Sequence, residues 1–132
     1  MATQSVFVWD ESFKAAADLS THQYKFAKLS AVDTVNLASA ATDRCLGVLQ
    51  NKPAANQAGA VRILGMSFVV SDGSGTAIAA GDYVGPNASS VAVKKATADF
   101  NVAGIALDPS TAVGTIIRVL LLPGAFFRTA AG

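Results

Sequence analysis

His22 is the only histidine and Cys45 the only cysteine in the 132-residue sequence, and together they bound the chemistry available. A Ser-His-Asp triad would need His22, and Ser20, Asp18 and Asp33 lie near it in the chain. Nearness in sequence does not supply triad geometry, and no serine sits in a Gly-x-Ser-x-Gly elbow. A Cys45–His22 nucleophile pair has no supporting motif. His22 reads as a solvated or capping side chain. Cys45, in the run Cys45-Leu46-Gly47-Val48-Leu49, reads as a buried thiol packing like a small hydrophobe. One His and one Cys build a zinc site only with two carboxylates. Asp72-Gly73-Ser74-Gly75 matches only the beginning of a calcium loop and reads as a type I′ or II′ turn. No helix follows its glycines, so they form no phosphate loop. Asp10-Glu11 is the only adjacent acidic pair and lacks glycosidase partners. The expectation is a protein with no catalytic residue, no metal site and no cofactor, and not an enzyme.

Composition points to surface recognition. Hydrophobic residues make up 52% of the chain and charged residues 14%, against about 25% charged in ordinary soluble domains. So few charges leave apolar surface that is expected to lie against other chains. The net charge is +1 and the ten basic residues are scattered, whereas nucleic-acid binders concentrate theirs on one face. Lys94-Lys95 is the only basic pair, and it reads as an exposed strand edge. Neither nucleic acid nor membrane is an expected partner: the longest apolar stretch, Val119 to Leu122, is far short of a span. The lone cysteine excludes an intrachain disulfide, and Met1-Ala2-Thr3-Gln4 does not resemble a secretory leader.

The elements that must carry this surface are strands. Short β-branched runs alternate with Gly, Pro, Asn, Asp and Ser clusters. They predict strands at Ser5–Trp9, Gln23–Leu29, Cys45–Leu49, Val61–Val70, Tyr83–Val84, Val91–Lys94, Val102–Leu107 and Thr115–Leu122. Gly65 is placed for a bulge or sharp bend in the fourth. Ser12–Leu19 and Val35–Thr42 carry weak helical signals, each of about two turns. The fold class is all-β: one small barrel or sandwich of about eight short strands with extended terminal arms. The expected division is an amino-terminal arm over 1–20, a β-barrel domain over 21–123 and a carboxy-terminal tail over 124–132.

The chain also echoes itself. Gly47-Val48-Leu49 is followed by Pro53, Gly59 and Arg62-Ile63-Leu64, and Gly104-Ile105-Ala106 by Pro109, Gly114 and Arg118-Val119-Leu120. Either a duplicated unit or two similar hairpins would produce this. Five aromatics crowd the ends: Phe7, Trp9, Phe13, Phe126 and Phe127. Termini are normally frayed and polar, so these are expected to dock on their own core or on a neighbour. With Arg128 they are the candidate protein–protein contacts, aromatic anchors being what carries interface energy.

The stretch from Arg44 to Pro123 resembles the head decoration proteins of tailed bacteriophages, also called capsid cement or head-fibre proteins. The residues that carry it are Leu46-Gly47-Val48, Val61-Arg62-Ile63-Leu64-Gly65, Ile78-Ala79-Ala80-Gly81-Asp82-Tyr83-Val84 and Val91-Ala92-Val93. Ala103-Gly104-Ile105-Ala106-Leu107 and Ile117-Arg118-Val119-Leu120-Leu121 complete the pattern. Gly47, Gly65, Gly81, Asp82 and Gly104 are its structural turn positions. The resemblance implies a virion structural protein that binds the outside of the major capsid protein shell and stabilises the mature head. It implies a homo-oligomer, with a trimer favoured over a dimer, on the capsid surface after assembly in the host cytoplasm. The alternatives are another phage part, such as a tail or fibre protein, and a receptor- or carbohydrate-binding β-module. The loops around Asn51, Ser71, Asn87 and Ser110 lack the aromatic platforms a sugar site would use.

Overall fold

The computed structural model describes residues 8–96 and 101–127, with side chains described as far as Leu122. Phe7 and Arg128 lie outside the described residues, as do the side chains of Phe126 and Phe127. Nine strands are present among the described residues: β1 (Trp9–Ala15), β2 (Phe26–Ala31), β3 (Thr34–Leu37), β4 (Gly47–Leu49), β5 (Ala58–Asp72), β6 (Tyr83–Pro86), β7 (Ala92–Lys94), β8 (Asn101–Ala106) and β9 (Val113–Phe127). The class is all-β, as the punctuated β-branched runs imply.

Both helical expectations are overturned. Ser12 to Ala15 belongs to β1, and Val35 to Leu37 belongs to β3. Alanine is the best helix former, but propensity yields to tertiary context, and here the backbone groups of both segments find ladder partners. Lys14 and Ala15 run parallel to Thr34 and Val35, and β1 lies antiparallel to β5 from Trp9–Leu64 to Lys14–Ala58. Residues 9–15, placed in an arm from sequence, are thus built into the sheet, and β9 continues beyond Pro123 as far as Phe127.

The sheet runs β1-β3-β2-β4-β5-β7-β6-β8-β9 and closes twice, through β1–β5 and β5–β9. Two five-strand barrels therefore share the long strand β5. Their wiring is the same. In the first, β1 is parallel to β3, and β2–β3, β2–β4, β4–β5 and β1–β5 are antiparallel. In the second, β5 is parallel to β7, and β6–β7, β6–β8, β8–β9 and β5–β9 are antiparallel. The amino-terminal half of β5 closes the first barrel and its carboxy-terminal half opens the second. Gly65, at φ 102° between the halves, supplies the bend, since only glycine adopts that conformation without steric cost.

The correspondence extends to single residues. Tyr24, Asp33 and Asn56 take positive φ in the first barrel where Gly81, Ser90 and Gly114 do in the second. Leu49 N–H donates to Lys25 O as Ala106 N–H donates to Asp82 O, and Ala38 to Phe26 as Lys95 to Tyr83. The Asn51 side chain accepts from Ala60 N–H at 2.9 Å, and Asp108 accepts from Arg118 N–H at 2.9 Å. Two hairpins that merely converged would not share three turns and these side-chain braces at an offset of 57 or 58 residues along the chain. The echo of Gly47 and Gly104 is a repeat of the whole five-strand unit.

Each barrel has its own interior. Ala15, Leu19, Ala27, Val35, Leu49 and Val61 fill the first, with Phe13, Leu37, Leu46 and Ile63 packed on them. Val69, Ile78, Val84, Ala92, Ile117 and Val119 lie at the centre of the second cluster. That cluster also takes in Phe26, Ala38, Val48 and Cys45, which belong to the outer side of the first barrel. The second barrel is thus welded to the first by side chains the first turns outward.

Candidate interaction surface

The alternation along the second half of β5 is inverted. Met66 and Phe68 face out, Phe68 being 47% exposed, while Ser67 and Ser71 are buried with Val69 between them. The buried hydroxyls are satisfied. Ser71 Oγ donates to Thr115 O at 2.7 Å and pairs with Ser110 Oγ at 2.8 Å; Gln50 Nε2 donates to Ser67 Oγ at 2.9 Å. Burying a bonded hydroxyl costs little, so the interior accepts serine while Met66 and Phe68 lie on the outer face.

Register then assembles the outward residues into a patch. Tyr83 of β6 pairs with Ile105 of β8, Ile105 with Leu120 of β9, and Leu120 with Met66 of β5. Arg118, opposite Phe68, and Ile116 extend it along β9. Leu120 is 42% exposed, and Tyr83, Met66 and Ile116 are exposed as well. Tyr24 meets Phe68 edge-on with centroids 6.0 Å apart, a favoured aromatic geometry.

Charges bordering this face are spent on each other. Arg118 forks onto Asp108 (Nε–Oδ2 2.9 Å, Nη2–Oδ1 2.7 Å), and this guanidinium holds the Asp108 carboxyl down at about 2. Arg62 forks onto Asp10 at 2.8 and 3.0 Å and donates to Met66 O at 3.2 Å. Fork pairs fix both partners and leave little charge to strip of water when another surface arrives.

The residues singled out for chemistry occupy structural roles. His22 Nδ1 accepts from Lys25 Nζ at 3.1 Å, and burial and then the Lys25 charge hold the imidazole below its ordinary pKa. Asp18 Oδ1 accepts from Ser20 N–H at 3.0 Å in a local turn. Asp10 is paired with Arg62, and Glu11 accepts from Trp9 Nε1 at 2.7 Å. Asp72 does not head a two-residue hairpin: its Oδ1 accepts from Ser74 N–H and Ser74 Oγ, an Asx turn in the long connection from β5 to β6. No cluster of three or more potential metal ligands occurs among the described residues. Lys94-Lys95 is no exposed edge, because β7 pairs on both sides and adjacent side chains of a strand point oppositely. Lys94 reaches Asp82 at 3.6 Å, while Lys95 is buried, donates to Pro86 O at 2.7 Å and is pushed below its ordinary pKa by burial.

Cys45 Sγ donates to Gly47 O at 3.3 Å, and burial pushes the thiol up to about 12. At pH 8 its thiolate fraction is then roughly a thousandfold below that of a free cysteine of pKa about 8.5. Because Cys45 is half-buried against the core, labelling by a disulfide reagent is expected to be slower in the native protein than in denaturant; equal rates in both would contradict this packing.

Of the contacts expected from sequence, Trp9 stands 49% exposed at the start of β1, in register with Leu64. Phe13 is half-buried against the first-barrel interior, so its ring serves this chain's own core. The backbones of Phe126 and Phe127 pair with Val102 and Asn101. Asp82 Oδ2 accepts from Ala79 N–H at 2.8 Å, and Gly81 before it has φ 94°, as expected of a turn. The Met66–Leu120–Tyr83 face went unread because alternation in β5 does not say which set of residues looks outward.

Residues 9–121 match the phage cement protein family. The chain belongs to that family. It is a phage virion structural protein, a class whose work is assembly and not catalysis. No curated protein matches the sequence. Among solved structures, the head fibre gp8.5 N base of bacteriophage phi29 shares the fold with a TM-score of 0.65 at 16% identity, over 91% of this chain and 98% of that one.

Proposed function

We propose that this cement protein binds the outside of the assembled major capsid shell, as a homo-oligomer, and stabilises the mature head. The observation that carries the reading is the match of residues 9–121 to the phage cement protein family. β1 starts at Trp9 opposite Leu64, and β9 parts from β5 beyond Leu121, opposite the neighbouring Gly65. The strands that lead to the two aromatic ends thus pass neighbouring positions of β5, and β9 continues from there along β8 to Phe127. The family match supports a head protein, and a fold shared with a head-fibre base fits that location.

A ligand that binds only the assembled shell stabilises it by RT ln(1 + [L]/Kd), about 2.7 kcal/mol per site at a hundredfold excess over Kd. Repeated across a lattice, this opposes the outward pressure of packaged DNA. Particles heated with and without the protein are expected to release DNA at a higher temperature when decorated. Trp9→Ala, which removes an exposed anchor, should weaken binding by about 2 kcal/mol with unfolding unchanged. Equal release temperatures at full occupancy would remove stabilisation as the role.

A further inference from the structure

The repeat shows what the exposed face of the second barrel is built to receive. In the first barrel, Phe26, Val48, Arg62 and Asp10 form a row across four strands by successive pairing. The equivalent row in the second is Tyr83, Ile105, Leu120 and Met66. The apolar end of the first row is fully covered. Phe26 and Val48 have no exposed surface and join the second-barrel cluster, and Phe26 N–H donates to Ser90 O at 2.9 Å. Ser90 lies in the turn between β6 and β7, a hairpin whose Pro86 and Val91 are buried.

The matching parts that would continue this arrangement lie open on the chain. In the second row Tyr83, Leu120 and Met66 are exposed and Ile105 between them is half-buried. The hairpin that corresponds to β6–β7 is β2–β3, with Asp33 at the positive-φ position of Ser90. In that hairpin Leu29, the counterpart of buried Pro86, is 53% exposed, and Val32 at the tip is 86% exposed. One molecule thus carries one exposed face and one hairpin whose Leu29 and Val32 side chains are uncovered, although its Asp33 carbonyl, unlike that of Ser90, already accepts from Lys14 N–H of its own barrel.

We infer that the protein self-associates head to tail: the β2–β3 hairpin of one copy covers the Tyr83–Ile105–Leu120–Met66 face of the next, as the β6–β7 hairpin covers Phe26 within the chain. The occupant is a second copy, because the repeat supplies both halves of the contact. Such an interface is heterologous, and it stops only by closing into a ring of three or more copies, or else runs on. This specifies the contact within the self-association proposed above and needs no shell.

The test uses isolated protein, so failure of shell binding is read separately. Val32→Asp alters the hairpin tip and Leu120→Glu the face; both positions are exposed, and near-ultraviolet circular dichroism checks the fold. Met66→Lys replaces Leu120→Glu if the latter unfolds. By sedimentation, the unaltered protein is expected to form species larger than a dimer. Each variant alone should be monomeric, with Kd raised about tenfold or more. An equimolar mixture should yield one-to-one heterodimers, since one intact hairpin then meets one intact face. Three results would overturn the inference. They are an unaltered protein that stays monomeric or stops at a dimer, variants that associate as it does, and a mixture that remains monomeric.

Discussion

Replacing Phe26 by alanine is expected to lower the unfolding free energy by about 3–5 kcal/mol, the range for removing a buried aromatic ring. Phe26 is the largest fully buried side chain among the described residues and has no exposed surface. It belongs to the first barrel by strand and to the second by packing. Its loss opens a cavity at the weld between the barrels, in the cluster that also holds Val48, Ala38 and Cys45. Because the barrels also share β5, one cooperative transition should persist and move down by roughly 10–20 °C. Val32→Ala, at an exposed turn, should stay within about 0.5 kcal/mol. A loss below about 1 kcal/mol for Phe26→Ala would show that the weld is not made by this ring.

Gly104→Ala should cost about 3 kcal/mol, the upper part of the range for overpacking. A Cβ at this position would collide with the Leu120 carbonyl oxygen and stand 2.6 Å from Val119 Cγ1. The carbonyl belongs to the β8–β9 ladder, so it cannot turn aside without breaking strand pairing. Gly47→Ala should behave alike, since its Cβ would meet the Arg62 carbonyl oxygen and Val61 Cγ1 at 2.9 Å. Val61 and Val119 are themselves equivalent in the repeat. Gly75→Ala is the control: nothing lies within 4 Å of its Cβ, and the change should be neutral or slightly stabilising. Chemical unfolding of the three variants decides the matter; similar losses at all three positions would mean that close strand approach is not what Gly47 and Gly104 provide.

The two effects describe one economy. A single barrel of this size encloses a narrow interior, filled at the second barrel by valines, alanines and bonded serines. The area it cannot bury inside is carried on its outer face and becomes an adhesive. Within the chain that adhesive joins the first barrel to the second. On the second barrel it stays exposed, with Arg118 and Asp108 neutralising each other beside it.

Composition and spacing alone determined the β class, because β-branched runs punctuated by Gly, Pro, Asn and Asp satisfy their backbone groups best in ladders. They also marked Gly65 as a bend, the echo of Gly47 and Gly104, and the absence of a nucleophile motif around His22 and Cys45. Tertiary structure decided the rest. Ala15 and Val35 became strand residues because ladder partners override a weak local preference for helix. β5 became the shared wall of two barrels because its two halves meet different partners, which no local pattern encodes. Which residues of β5 face outward was settled by the space inside the second barrel. Alternation of period two looks the same from either side of a strand, and only the closed second barrel, with Ser67 and Ser71 buried and bonded inside it, shows that Met66 and Phe68 face out.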